Sequence, residues 1–219
     1  MNAIAKMLQV YFIAGTQDCR HLNGQPEQNL LSILQRALAA GISCFQFRDK
    51  GTYSLASDPA RQKQLALACR DLCRQYRVPF IVNDDIEFAL EIEADGIHVG
   101  QKDQIKQALD ARATRSLIVG LSINNMAQGV ADKDNPNIDY FGLGPIFATQ
   151  SKADHALVLS PAFIREIRQL GVNKPCVAIG GITTQNASQL RRLGADGVAV
   201  ISAITQAADI ASAVKQLQS

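Results

Sequence analysis

Short apolar runs alternate with amphipathic stretches from one end of the chain to the other. LQVYFIAG (Leu8 to Gly15), ISCFQFR, PFIVN, DGIHVG, LIVGLS, IDYFGLG, PCVAIGG and DGVAVIS are rich in β-branched and aromatic residues and bounded by turn residues, so each reads as a strand buried on both faces. Between them lie helical patterns. NLLSILQRALAA is closed by Gly41, and others cover Ala60 to Tyr76, Ile86 to Glu91 and the region near Ile105 to Ala111. A weak helix is expected around Met126 to Asp132, then Pro161 to Leu170 closed by Gly171, Gln185 to Leu193 closed by Gly194, and a last one ending near Leu217. The N-terminal MNAIAKMLQVYFIAG is too short to span a bilayer and lacks a small-residue cleavage site, so it reads as the first strand. Eight β-then-α units predict an α/β fold, a closed (β/α)8 TIM barrel of parallel strands, as a single domain over residues 1–219. The alternative, a doubly wound open sheet, would open its first helix on GxGxxG, which is missing here. Ala94-Asp95-Gly96 before the fourth strand also echoes Ala195-Asp196-Gly197 before the eighth, as in a barrel of two four-unit halves.

Composition narrows the function classes. Apolar residues make up 47% of the chain, enough to fill a core, and the net charge of +2 comes without a concentrated Lys/Arg run. With no Trp and few aromatics, a nucleic-acid partner is not expected, nor is a membrane one. The five cysteines have no CxxC spacing and no histidine pair to complete a zinc site, so they read as buried thiols of a cytoplasmic protein. The outer helices of such barrels can dimerise, which makes a homo-oligomer compatible with the pattern.

Candidate chemistry gathers at the strand ends. In ISCFQFRDK, Gln46, Arg48 and Lys50 share one parity, while Phe45 and Phe47 share the other and should pack outward. That aims an amide, a guanidinium and an ammonium into the barrel mouth, where charge needs a ligand or counter-ion. The bland alternative is a solvated loop with Arg48 paired to an acid. Asn83 and Asp84 close the third strand and Asp103 follows the fourth, all at βα junctions. Each could be a turn or helix cap. As a pair, the two aspartates offer the hard oxygens that Mg²⁺ bridging a diphosphate requires. His98 reads as a satisfied core residue rather than an acid or base.

The loop after the sixth strand, PIFATQSKADHALVLS, is unusually long and offers Thr149, Gln150, Ser151 and Lys152 at the catalytic rim. Gly180-Gly181 and Ile201-Ser202 end the last two strands, where this fold commonly builds a phosphate cradle.

Taken in order, FQFRDK, NDD, DGIHVGQKD, GLS, GPIFATQSK, AIGGI and GVAVIS resemble the thiamine-phosphate synthase family over nearly the whole chain. The resemblance implies a transferase of thiamine biosynthesis that joins a pyrimidinylmethyl diphosphate to a thiazole phosphate (or its carboxylated form), with release of pyrophosphate. It implies a pyrimidine diphosphate site at Gln46, Phe47, Arg48, Asp49, Lys50, Asn83, Ser122 and Lys152, with Arg48, Lys50 and Lys152 stabilising the leaving group. It implies one Mg²⁺ held by Asp84 and Asp103, and a thiazole-phosphate site at Thr149, Gln150, Ser151, Gly181, Ile201 and Ser202. Four positions depart from the pattern: Asp49 for Glu, Ala148 for Pro, Asp85 for Arg and Asn124 for His. The last two bear on local charge and on where a helix starts. Two rivals share the barrel. A thiazole tautomerase would need a base such as histidine near Ser122, and a catalytically silent binding barrel would have no use for the full charge set.

Overall fold

In this computed structural model, which describes residues 2–101, 104–149 and 157–219, the apolar runs form eight short parallel strands. They are β1 (Val10–Ala14), β2 (Cys44–Phe47), β3 (Phe80–Asn83), β4 (Gly96–Val99), β5 (Ile118–Ile123), β6 (Tyr140–Leu143), β7 (Cys176–Ile179) and β8 (Gly197–Val200). They pair in chain order, and β8 pairs with β1 to close the barrel. The helices are α1 (Ala3–Met7), α2 (Pro26–Ala40), α3 (Pro59–Tyr76), α4 (Ile86–Glu91), α5 (Gln104–Thr114), α6 (Met126–Asp132), α7 (Ala162–Gln169), α8 (Ala187–Arg192), α9 (Ser202–Thr205) and α10 (Ile210–Gln218). Among the described residues no helix is long and apolar enough to cross a membrane.

Strand parity divides two cores. Val10, Phe12, Phe45, Phe47, Phe80, Val82, Ile97 and Val99 point outward and are covered by the helices. Tyr11, Ile13, Cys44, Ile81, Tyr140, Val177 and Ala199 point inward and fill the barrel. Both faces are buried, so most of the strands read as continuous apolar runs. All five cysteines are free and buried.

The N-terminus differs from the expected strand. Ala3–Met7 is a helix, capped by the Asn2 side chain, and only Val10 onward is extended. Met7 and Leu8 belong to the inner core and Ile4 packs on it, so this segment seals the amino-terminal end of the barrel. A 3₁₀ turn (Thr16–Cys19) and the one-turn α9 were also not anticipated. Both are too short to show a helical period.

The sequence echo has a physical cause. Asp95, just before β4, accepts the Phe80 N–H at the start of β3, and Asp196, just before β8, accepts the Cys176 N–H at the start of β7. Asp139 before β6 does the same for Val119 of β5, and Ser43 before β2 for Val10 of β1. The residue before each even-numbered strand therefore clasps an amide at the start of the preceding strand. Arg112 and Arg168 pair with Asp139 and Asp196, anchoring the clasps to α5 and α7.

Candidate active site at the carboxyl end of the barrel

A cavity of about 410 Å³ opens at the carboxyl ends of the strands. β2 supplies its cationic wall. Arg48 follows Phe47 on the inward parity, is buried with 9% of its surface exposed, and lines the cavity. Among the described residues Arg48 forms no ion pair, so the expected alternative of a neighbouring acid is not what the structure shows. Asp18 feels its charge, but burial prevails and pushes the Asp18 carboxyl above its ordinary pKa. A buried guanidinium that faces a cavity and is not held in an ion pair among the described residues is suited to an anionic ligand.

Lys50 reaches the rim and pairs with Asp84 Oδ2 at 2.7 Å. Asn83 Nδ2 donates to the same oxygen at 2.7 Å, so both bonds fall on one side of the carboxylate. Asp84 has φ 63°, a left-handed backbone that a side chain rarely adopts, and it lines the cavity. The helix cap considered for Asn83-Asp84 falls to the next residue: Asp85 accepts the Phe88 N–H at 2.9 Å and starts α4. The departure at Asp85 thus serves the helix start and leaves Asp84 to the cavity.

Three residues expected at the pyrimidine site lie elsewhere. Phe47 points outward and stacks on Phe80 and Phe88, as strand parity requires. Asp49 is buried and faces the loops: its carboxylate accepts Thr16 N and Oγ1 at 2.7 and 2.5 Å, Leu55 N at 3.0 Å and Gln62 Nε2 at 3.1 Å. It knits the segment after β2 to the turn after β1. Gln46 is inward but sits below the rim, donating to the Tyr11 hydroxyl at 2.8 Å.

Ser122 lines the cavity from β5 together with His98 from β4, and His98 Nε2 is 3.0 Å from Ser122 Oγ. His98 shares inward parity with Gly96, a signal present in the strand pattern. Its dismissal as a core residue missed that the inner face opens into the site at this level. Gln101, also unanticipated, lines the cavity and donates to Ser122 O at 2.7 Å. Asn124, where the family pattern has His, donates to Gly144 O at 2.6 Å and ties the exit of β5 to that of β6. Asn125 caps α6 by accepting Gln128 N at 3.0 Å, and Gln128 Oε1 accepts Asn124 N at 2.7 Å. The substitution therefore leaves the helix start intact.

The opposite wall is built from Thr149, Gly181, Ile201 and Ser202. Gly181 has φ 61°, and a Cβ there would lie 2.6 Å from Ala148 O, so only glycine fits. Ser202 begins α9, and only its amide and that of Ala203 precede the first hydrogen bond of the turn, from Ile204 N to Ile201 O at 3.1 Å. Asp103, Gln150, Ser151 and Lys152 fall outside the described residues.

The family model for thiamine monophosphate synthase matches residues 10–204. The thiamine-phosphate synthase of Mannheimia succiniciproducens is 63% identical over 99% of this chain and 99% of its own. The thiamine-phosphate synthase of Actinobacillus succinogenes is 62% identical, covering 99% of this chain and 98% of its own. Among solved structures, a thiamine phosphate pyrophosphorylase from Pyrococcus furiosus superposes with a TM-score of 0.79 and 29% identity, over 98% of this chain and 96% of its own.

Proposed function

This chain belongs to the thiamine monophosphate synthase family, and on that premise we propose that it joins a pyrimidinylmethyl diphosphate to a thiazole phosphate, forming thiamine phosphate and pyrophosphate. The observation that best supports this reading is Arg48, a buried guanidinium with no ion pair among the described residues, opening into the cavity beside Lys50. Such a wall is complementary to the negative charge that accumulates on a departing diphosphate.

Asp84 fits a place in a magnesium site. Its hydrogen bonds from Lys50 and Asn83 both fall on Oδ2, and its carboxylate lines the cavity. Among the described residues no cluster of three or more acidic, His or Cys side chains forms a protein-only metal cage. Mg²⁺ does not require one, because it takes one or two carboxylates and completes its shell with phosphate oxygens and water. Asp84 and Asp103 would hold it, and when bound it would neutralise diphosphate charge.

In this reading Arg48 grips the diphosphate as a fork, and Lys50 and Lys152 serve as point charges. The leaving group departs before the new bond forms, and the aminopyrimidine ring delocalises the resulting cation. Thr149, Gln150, Ser151, Gly181, Ile201 and Ser202 hold the thiazole phosphate so that its ring nitrogen faces that carbon. Because Phe47 points outward and Asp49 faces the loops, their part is to fix the backbone on which Gln46, Arg48 and Lys50 stand. The reaction needs no nucleophile of the protein's own. We place it in the cytoplasm, with phosphorylated small molecules as its partners.

Proximity of His98 to Ser122 means that a histidine near Ser122 does not by itself separate a synthase from a tautomerase. The charge set does, since proton transfer on a thiazole would leave Arg48 and Asp84 without a task. Purified protein mixed with both substrates and Mg²⁺ should release pyrophosphate in step with thiamine phosphate, and neither substrate alone should suffice. Isomerisation of a thiazole phosphate without pyrophosphate release would overturn the assignment.

A further inference from the structure

A polar chain crosses the apolar interior of the barrel, separate from the cationic wall of Arg48 and Lys50. Gln46 Nε2 donates to the Tyr11 hydroxyl at 2.8 Å, and the Tyr11 and Tyr140 hydroxyls are 2.8 Å apart. The Tyr140 hydroxyl lies 3.1 Å from His98 Nδ1, and His98 Nε2 lies 3.0 Å from Ser122 Oγ. The first three residues are buried, and the last two line the cavity. Tyr11, Gln46, Arg48, His98 and Ser122 also line a recess of about 20 Å³ beneath it.

Two glycines are placed to make room for this chain. Neither Gly120 nor Gly142 has a positive φ, so the backbone does not demand glycine. A Cβ on Gly120 would lie 2.2 Å from Tyr140 Cζ and 2.5 Å from His98 Nδ1, and one on Gly142 would lie 3.0 Å from His98 Cε1. The space they leave is filled by the Tyr140–His98 pair. Gly142 therefore leaves room for this pair.

Counting donors gives the chain a direction. The Gln46 amide nitrogen can only donate, so the Tyr11 oxygen accepts and its proton is available to Tyr140. The Cys44 thiol also bonds Tyr11, but it is a weak partner beside a phenol. Burial holds both phenols well above their ordinary pKa, so each keeps its proton. Tyr140 then donates to His98 Nδ1. With that lone pair taken, neutral His98 carries its proton on Nε2 and donates it to Ser122 Oγ. Ser122, already accepting, turns its own proton toward the cavity.

We propose that Tyr140, backed by Tyr11 and Gln46, is a positioning residue that fixes the His98 ring in the tautomer protonated on Nε2, so that Ser122 donates to the bound pyrimidine diphosphate. This rests on the functional reading above.

The test joins a spectroscopic readout to a kinetic one. ¹⁵N NMR of the three histidines, with His98 assigned by the His98→Gln variant, should show His98 neutral and protonated on Nε2. Tyr140→Phe should mix the tautomers and lower kcat about tenfold or more while KM moves less than about threefold. Tyr11→Phe, which leaves the Tyr140–His98 contact in place, should do the same more weakly. In a Ser122→Ala background Tyr140→Phe should cost almost nothing further, a non-additivity that general loosening of the barrel would not produce. A wild-type His98 protonated on Nδ1, an unchanged kcat in Tyr140→Phe, or an equal loss in both backgrounds would overturn the proposal. Should the wild-type protein make no thiamine phosphate, the functional reading fails, and the tautomer still decides whether the chain runs in this direction.

Discussion

Asp84 shows how one residue can be set apart for function. Its neighbour Asp85 caps α4, while Asp84 takes a left-handed backbone that brings its carboxylate to the cavity. Asn tolerates that conformation as well as Asp does and removes only the charge. Asp84→Asn is therefore expected to lower kcat about a hundredfold while stability in urea stays within about 0.5 kcal/mol. Equal losses in both would make Asp84 a structural residue. Asp18 gives a prediction in pH. Burial raises its carboxyl above 3.8, despite bonds from Gly15 and Gln17 and the charge of Arg48. Folding thus favours the protonated acid, so its contribution is fully present below 3.8 and is lost as pH rises through the raised value. Asp18→Asn should melt higher than wild type at pH 7, and the gap should close by pH 3. A gap independent of pH would contradict this.

At the level of elements, the acid before each of β4, β6 and β8 is tied to an amide at the start of the preceding strand. Removing it leaves a buried N–H without an acceptor, so Asp95→Ala should cost about 1–3 kcal/mol of unfolding free energy. Because this end is opposite the cavity, kcat per folded molecule should be unchanged, which denaturant melts and an activity assay can check together. The Ala-Asp-Gly echo was visible in the sequence, but its purpose was not, since a side chain bonding a strand 15 or 20 residues away leaves no local pattern. The alternation in Gln46-Phe47-Arg48 was enough to place Phe47 outside and the other two inside. It could not show that Asp49, at the end of that run, turns to Thr16 and Gln62, because strand parity ends at Phe47. The N-terminal helix was hidden for a related reason: five residues give barely one helical turn, and the apolar run continues unbroken into β1.

For the molecule as a whole, the barrel was legible because eight apolar runs and eight amphipathic stretches have few other ways to bury both. The interior chain from Gln46 to Ser122 was not legible, because it joins β1, β2, β4, β5 and β6 through contacts that only closure creates. Packing inside the barrel and beneath its helices buries every cysteine, pushing the thiols of Cys19 up to about 12 and Cys176 to about 11. Native protein should therefore resist a thiol reagent at pH 8, with all five groups reacting in denaturant; prompt reaction of any in the native state would mean the core opens readily. The central claim is that one end of this barrel holds a diphosphate and draws it from a carbon. A crystal structure with Mg²⁺, pyrophosphate and thiamine phosphate tests it most directly. Pyrophosphate should lie against Arg48 and Lys50, with the metal between it and Asp84 and the thiamine phosphate group at Gly181 and Ser202. Products seated away from Arg48 and Asp84, with the cavity holding only solvent, would contradict the account.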